Sequence, residues 1–270
     1  MLIPDSTNWN VHLQACRAMI EWNQARNRGK QSDDVLSRFV VKEVEDFEIF
    51  KNLVSFSRQQ PRTKCPLQSK AEDRLWAFTI LISEVTAVER SNYELYGRGY
   101  EVEEEEMTGW RERVEQAYRQ VCVTAASAAQ HDEATQSHFN AMVKVHYYAS
   151  LIYVEQALAF RRGAERVLHT YLPVLFHDLQ SLAKDTTHVF SHVLFFPLFI
   201  AGTECWGDEH RQAMIQRAFV DLIAATGAWC NHTALQFLCA IWARPEYWGV
   251  GQWIRYAREN ENEIGPFMLF

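Results

Sequence analysis

The sequence predicts an all-α protein, a single irregular multi-helix bundle of about eight to ten helices spanning residues 1–270, with no sheet. Three observations carry that expectation. Glycine (11) and proline (7) are sparse in a chain of 270 residues, so corners are few and elements are long. Apolar residues recur at helical spacing in one stretch after another, and nowhere alternate with the period of two that a half-buried strand needs. Hydrophobic residues make up 48% of the chain, and nine Trp with sixteen Phe make the core aromatic-rich.

A first helix is predicted from about Trp9 to Arg28, with Leu13, Cys16, Met19 and Ile20 on one face. After a break at 29–32, Asp33 and Asp34 set negative charge where a second helix begins, as the helix dipole favours. That helix carries Phe39, Val40, Phe47, Phe50 and Leu53 and ends before Pro61. Residues 59–69 read as a polar loop, and Ser69 with Glu72 is spaced as a capping box. The following helix sets Leu75, Phe78, Ile82 and Val85 on one stripe and fades at Gly97 and Gly99. Glu101 and Glu103–Glu106 read as a solvated loop, being too short a run for an interaction tail.

Two helices are then expected at roughly 108–130 and 132–161. The second is apolar nearly all round, at Tyr147, Tyr148, Leu151, Ile152, Tyr153 and Val154, and so should lie centrally. Gly163 separates it from a helix carrying Pro173. Residues 186–206 read as a buried helix bent at Pro197. Residues 208–226 are amphipathic through Met214, Ile215, Ala218, Phe219, Leu222 and Ile223, and Gly227 is placed to end them. Leu235–Trp242 is the last full helix expected, before an aromatic segment from Tyr247 to Tyr256.

Several function classes are disfavoured at this level. A net charge of −7, with no basic cluster beyond Arg26, Arg28 and Lys30, argues against nucleic-acid contact by this chain. The six cysteines (16, 65, 122, 205, 230, 239) include no CxxC pair, so a structural zinc module is not expected. They read as buried small apolar residues in a reducing compartment. The N-terminus lacks the regions of a signal peptide, so the sequon at Asn231 reads as accidental. The apolar run 193–202 is half the ~20 residues a bilayer span requires, so no membrane is expected.

The stretch Phe196-Pro197-Leu198-Phe199-Ile200-Ala201-Gly202-Thr203-Glu204 resembles the PLFIAG-x-E signature of the fungal-specific transcription factor domain. Leu238-x-x-x-Trp242 and Trp253 match the family's downstream pattern, and Trp9-x-x-His12-Leu13 resembles its helix start. That family is the C-terminal helical half of zinc-binuclear-cluster regulators. The resemblance implies one regulatory domain over 1–270, lacking the zinc cluster and N-terminally truncated relative to the family. It implies a non-catalytic effector or activation domain, nuclear in its parent protein and cytoplasmic if stand-alone. Its expected partners are a small hydrophobic effector, the transcription machinery or a homologous regulator. The alternative is a stand-alone helical enzyme or ligand-binding protein of secondary metabolism. Within the signature, Ala201 and Gly202 are expected to allow close helix approach.

No nucleophile elbow, phosphate loop or dinucleotide fingerprint is present, and no catalytic residue or cofactor is expected. His188 and His192 have i, i+4 spacing but no zincin glutamate and no third ligand, so no metal site is expected. Glu204, Asp208, Glu209 and His210 form an acidic–histidine cluster of the kind that general acid/base chemistry uses, but it sits where a helix begins at 208 and reads as ordinary stabilisation of a helix start by acids. His146, Tyr147 and His192 are polar-tipped residues on helices expected to be central. They are the candidates for an effector pocket, against the simpler reading of buried hydrogen bonds in a closed core.

Overall fold

The helix Glu133–Leu158 organises the fold, because its second half leaves no face for solvent: every residue from Ala149 to Leu158 is buried. A helix buried all round must be enclosed by others, and it is. The computed structural model describes residues 15–20, 22, 35–56, 76–127, 133–159, 164–183, 191–264, 267 and 269. In chain order these form α1 (15–20), α2 (Val35–Asn52), α3 (Trp76–Gly97), α4 (Glu104–Ser127), α5 (Glu133–Leu158) and α6 (Ala164–Ala183). A 3₁₀ turn at Ser191–Leu194 leads into α7 (Phe195–Thr203), followed by α8 (Glu209–Thr226), α9 (His232–Trp242), α10 (Gln252–Glu259) and α11 (Glu261–Ile264). No strand occurs among the described residues, and none of the helices is long and apolar enough to cross a membrane.

Helices α3, α4, α6 and α7 pack directly on α5. α2 leans on α3, while α8 and α9 cover α7 from the other side. The stripes read from the sequence supply these contacts: Phe78, Ile82 and Val85 on α3, and Ile215, Ala218, Phe219, Leu222 and Ile223 on α8, are all buried. α8 has the predicted ends. Asp208 accepts a hydrogen bond from the Arg211 backbone N–H at 3.0 Å, and Gly227 stands at φ 71°, its N–H bonded to the Ile223 carbonyl.

Four expectations are corrected. The acidic run is not a loop: α4 begins at Glu104, so Glu104, Glu105 and Glu106 form its first turn, where the helix dipole stabilises them. Pro197 bends nothing. Residues 191–194 are a separate 3₁₀ turn, and Pro197 is the third residue of α7, where no intrahelical donor is missed. The segment after Trp242 is not merely aromatic but folds into α10, which buries Trp253, Ile254, Tyr256 and Ala257. Finally, the stripe assigned to α1 does not face inward. Cys16 and Met19 are exposed, and α1 meets α2 through Arg17, whose Nη1 bonds Glu48 Oε1 at 2.9 Å. Of the other described cysteines only Cys205 is fully buried. Leu13, Asp33, Asp34, Ser69, Glu72 and Leu75 lie outside the described residues.

Candidate functional site

The residues of the 196–204 signature meet the downstream Trp242 and Trp253 where the C-terminal end of α7 touches α5, α9 and α10; Trp9, His12 and Leu13 lie outside the described residues. Gly202 is there because two neighbours leave no room for a side chain. A Cβ at this position would stand 2.7 Å from Leu238 Cδ1 on α9 and 3.2 Å from Ile215 Cγ2 on α8. The close approach also lets Trp242 donate its indole N–H to the Gly202 carbonyl at 2.8 Å, across α9 and α7. The expectation that the small pair permits close helix approach is met at Gly202.

Beside it lies a buried polar knot centred on Gln156 of α5. Gln156 Nε2 donates to Thr203 Oγ1 at 2.8 Å and to Glu204 Oε1 at 2.6 Å. Its carbonyl oxygen accepts from Trp253 Nε1 of α10 at 3.0 Å. Thr203 passes its own hydroxyl proton to the Ile200 carbonyl at 2.8 Å. One amide thus ties α5 to α7 and α10 with every donor and acceptor engaged, as a buried polar group requires. Gln156→Leu should cost about 3 kcal/mol, since it leaves the Trp253 indole N–H and the Glu204 carboxyl short of a buried partner. Chemical denaturation followed by tryptophan fluorescence would measure it. A loss below about 1 kcal/mol, the net worth of one ordinary hydrogen bond, would sink the claim that the knot acts as a unit.

Glu204 is the least expected member. Sequence reasoning set it among ordinary acids at a helix start, and Asp208 and Glu209 do occupy that place. Glu204 instead follows the last turn of α7, is only 7% exposed, and turns its carboxyl inward. Burial pushes its pKa up to about 7, against the downward pull of bonds donated by Gln156, the Trp206 side chain and the Gly251 backbone.

The three residues marked for an effector pocket stand as follows. His146 is sealed between Phe78 and Phe196, with its ring 6.3 Å from each. Its Nε2 lies 2.9 Å from the Val193 carbonyl, which can only accept, so that nitrogen carries the proton. Burial pushes its pKa down to about 4, leaving a neutral imidazole. Tyr147, the next residue on the helix, turns toward α4 and donates to Glu115 Oε2 at 2.7 Å. The two side chains therefore serve different helices. Tyr147 also joins a half-buried row of tyrosines across α4, α5 and α6: Tyr118 at 4.7 Å, Tyr148 at 5.1 Å, and Tyr171 at 5.8 Å from Tyr148. The 3₁₀ turn holds the backbone of His192; its side chain, and His188 altogether, lie outside the described residues.

Two buried ionic contacts escaped sequence reasoning. Glu155 of α5, 1% exposed, accepts from Arg111 Nε at 2.7 Å, and Arg111 Nη1 also reaches Glu104 at 2.6 Å. Glu89 of α3 is held by Arg90 and by Arg258 of α10, the latter at 2.6 Å. Arg258 stacks over Tyr93 and Phe56, and Arg90 covers Phe56 at 3.8 Å, so the C-terminal helices are clasped to α3. A signal for the first contact was available: Glu155-Gln156 is a polar pair inside an otherwise apolar helix. Among the described residues no cluster of His, Cys, Asp and Glu is arranged to hold a metal ion.

What fold and site define together is a large helical domain whose signature residues lock helices to one another. The family model described as fungal specific transcription factor domain matches residues 3–264, and the chain belongs to that family, a domain of transcription regulators. No curated protein and no solved structure matches it.

Proposed function

We propose that this chain is the effector, or activation, domain of a nuclear transcription regulator, working without catalysis through protein partners and a small hydrophobic effector. One observation carries the reading: the family match spans 3–264, and its signature residues Gly202, Thr203, Glu204, Trp242 and Trp253 spend their polar groups on internal bonds. The net charge of −7 supports a role in which this chain makes no direct nucleic-acid contact. Tethering residues 1–270 to an unrelated DNA-binding domain should change transcription of a reporter several-fold in either direction. A folded, nuclear fusion that leaves the reporter unaltered would overturn the reading.

The candidate effector residues His146, Tyr147 and His192 belong to the finer part of this proposal. Tyr147 supports it best, being half-buried in a tyrosine row that offers aromatic faces and a polar rim. A bound hydrophobic metabolite should raise the melting temperature by linkage. No shift with any member of a panel of lipids and secondary metabolites would remove the effector from the proposal.

A further inference from the structure

Two tryptophans carry the packing around Gly202 out to the surface. Trp242 donates its indole N–H to the Gly202 carbonyl, and Trp248 donates its own to the Trp242 carbonyl at 3.2 Å. Trp248 is thereby fixed at its inner edge while the ring remains 40% exposed. Its benzo edge, Cζ3 and Cη2, lies 3.7 and 3.9 Å from where a Cβ on Gly207 would stand. Gly207 has φ 74°, so a side chain there would be strained as well as pressed against the indole, and the backbone stays bare. Trp206, next to it in the chain, is also 40% exposed. The turn after α7 and the segment before α10 thus present two exposed indoles at one bare glycine.

The uncompensated charges beside them are negative. Glu209 stands two residues beyond Gly207, and Glu246 two residues before Trp248. Both are exposed, and no side chain among the described residues pairs with either. The arginines nearest in the chain are committed elsewhere. Arg211 pairs with Asp208 at 3.3 Å and lies over the Phe176 ring. Arg244 bonds the Tyr256 hydroxyl and lies over that ring. Carboxylates only accept hydrogen bonds, and the Trp248 donor is already spent, so the patch offers acceptors, negative charge and indole faces. A guanidinium uses all three: it stacks on an indole and gives its N–H groups to carboxylates.

We propose that Trp206, Gly207 and Trp248, with Glu209 and Glu246, form a docking surface for a basic, arginine-bearing segment of a partner protein. This rests on the reading that the chain works through protein partners, and it names the chemistry of one. Pinning of the Trp248 ring lowers the ordering cost of engaging its face. The net charge of −7 draws a basic segment in from a distance. The contact is small and charge-dependent, which makes it transient and weakened by salt.

The test is an NMR titration of the full chain with a short, end-blocked peptide of alternating arginine and glycine. The same peptide with citrulline in place of arginine keeps the shape and removes the charge. The arginine peptide should shift the Trp206 and Trp248 indole N–H and the Gly207 amide saturably, and leave the buried Trp253 indole still. It should bind at least about fivefold more tightly than the citrulline peptide, the worth of one exposed cation–π contact. Trp248→Leu should weaken it by a similar factor. Because that change also removes an internal bond, Glu209→Gln with Glu246→Gln is the second variant; it touches only exposed carboxylates and should weaken binding at least about threefold. No saturable shift, equal binding of the two peptides, or full affinity in the glutamine variant overturns the proposal. So do shifts centred on the acidic first turn of α4, which would mean that charge alone directs the peptide. A reporter response without peptide binding removes this surface and leaves the regulatory reading standing; peptide binding beside a silent reporter supports the surface and removes that reading.

Discussion

Gly202→Val will destabilise the domain by about 3 kcal/mol, the upper end of what overpacking a well-filled core costs. The first added carbon already stands 2.7 Å from Leu238 Cδ1 and 3.2 Å from Ile215 Cγ2. Both neighbours are fully buried, at 0% exposure, so neither methyl has free space to retreat into. The branched side chain adds two further methyls to the same gap. It also pushes α9 from α7 and strains the bond from Trp242 Nε1 to the Gly202 carbonyl. Gly202→Ala should cost less, because alanine gains about 1 kcal/mol of helix propensity over glycine. The midpoint of urea unfolding is the measurement. The mechanism makes a second demand: Gly202→Ala combined with Leu238→Ala must be less destabilised than the sum of the two. Strict additivity would show that the contact with Leu238 is not the cause.

Arg111→Ala should cost about 3 kcal/mol, far above the worth of an exposed ion pair. The difference lies in the partner left behind. Glu155 is 1% exposed on the central helix, and Arg111 Nε is its cation at 2.7 Å. Removing the guanidinium strands a buried carboxylate, whereas the bond to the exposed Glu104 contributes little. Neutralising the stranded group should repair most of the damage, so Arg111→Ala with Glu155→Gln ought to be more stable than Arg111→Ala alone. If the double variant is the weaker one, the loss came from the packing of the arginine stem rather than from charge.

How much of this was legible depends on the range of the interaction. Helix stripes were legible because one helix face repeats locally: Phe78, Ile82 and Val85, or Ile215, Phe219 and Leu222, identify their inward side without knowing what they touch. The ends of α8 were legible for the same reason, since Asp208 caps a backbone N–H three residues away and Gly227 supplies a left-handed turn. The same local logic misread Pro197. A proline within an apolar run marks a bend or a beginning, and only the 3₁₀ turn before Phe195 decides for a beginning. It misread α1 too, because apolar periodicity states which residues share a face but not that the face is covered. Two of the candidate effector residues, His146 and Tyr147, sit on the helix that the sequence places centrally, and central it is. Adjacent positions on a helix diverge by about 100°, however, so His146 and Tyr147 serve different neighbours.

By itself the sequence determined the all-helical class, the central place of the helix expected at roughly 132–161 and the need for a small residue at 202. Each rests on composition, periodicity, or a motif whose residues are contiguous. The partners were decided only by tertiary structure. Gln156 reaches Trp253 across 97 positions, Arg258 reaches Glu89 across 169, and Glu204 becomes a buried acid because α5 and the turn before α10 close over it. Nothing local distinguishes that glutamate from Asp208 or Glu209 a few residues on. Its environment is made by the helices that enclose it, and a carboxyl's desolvation belongs to the assembled fold rather than to the chain.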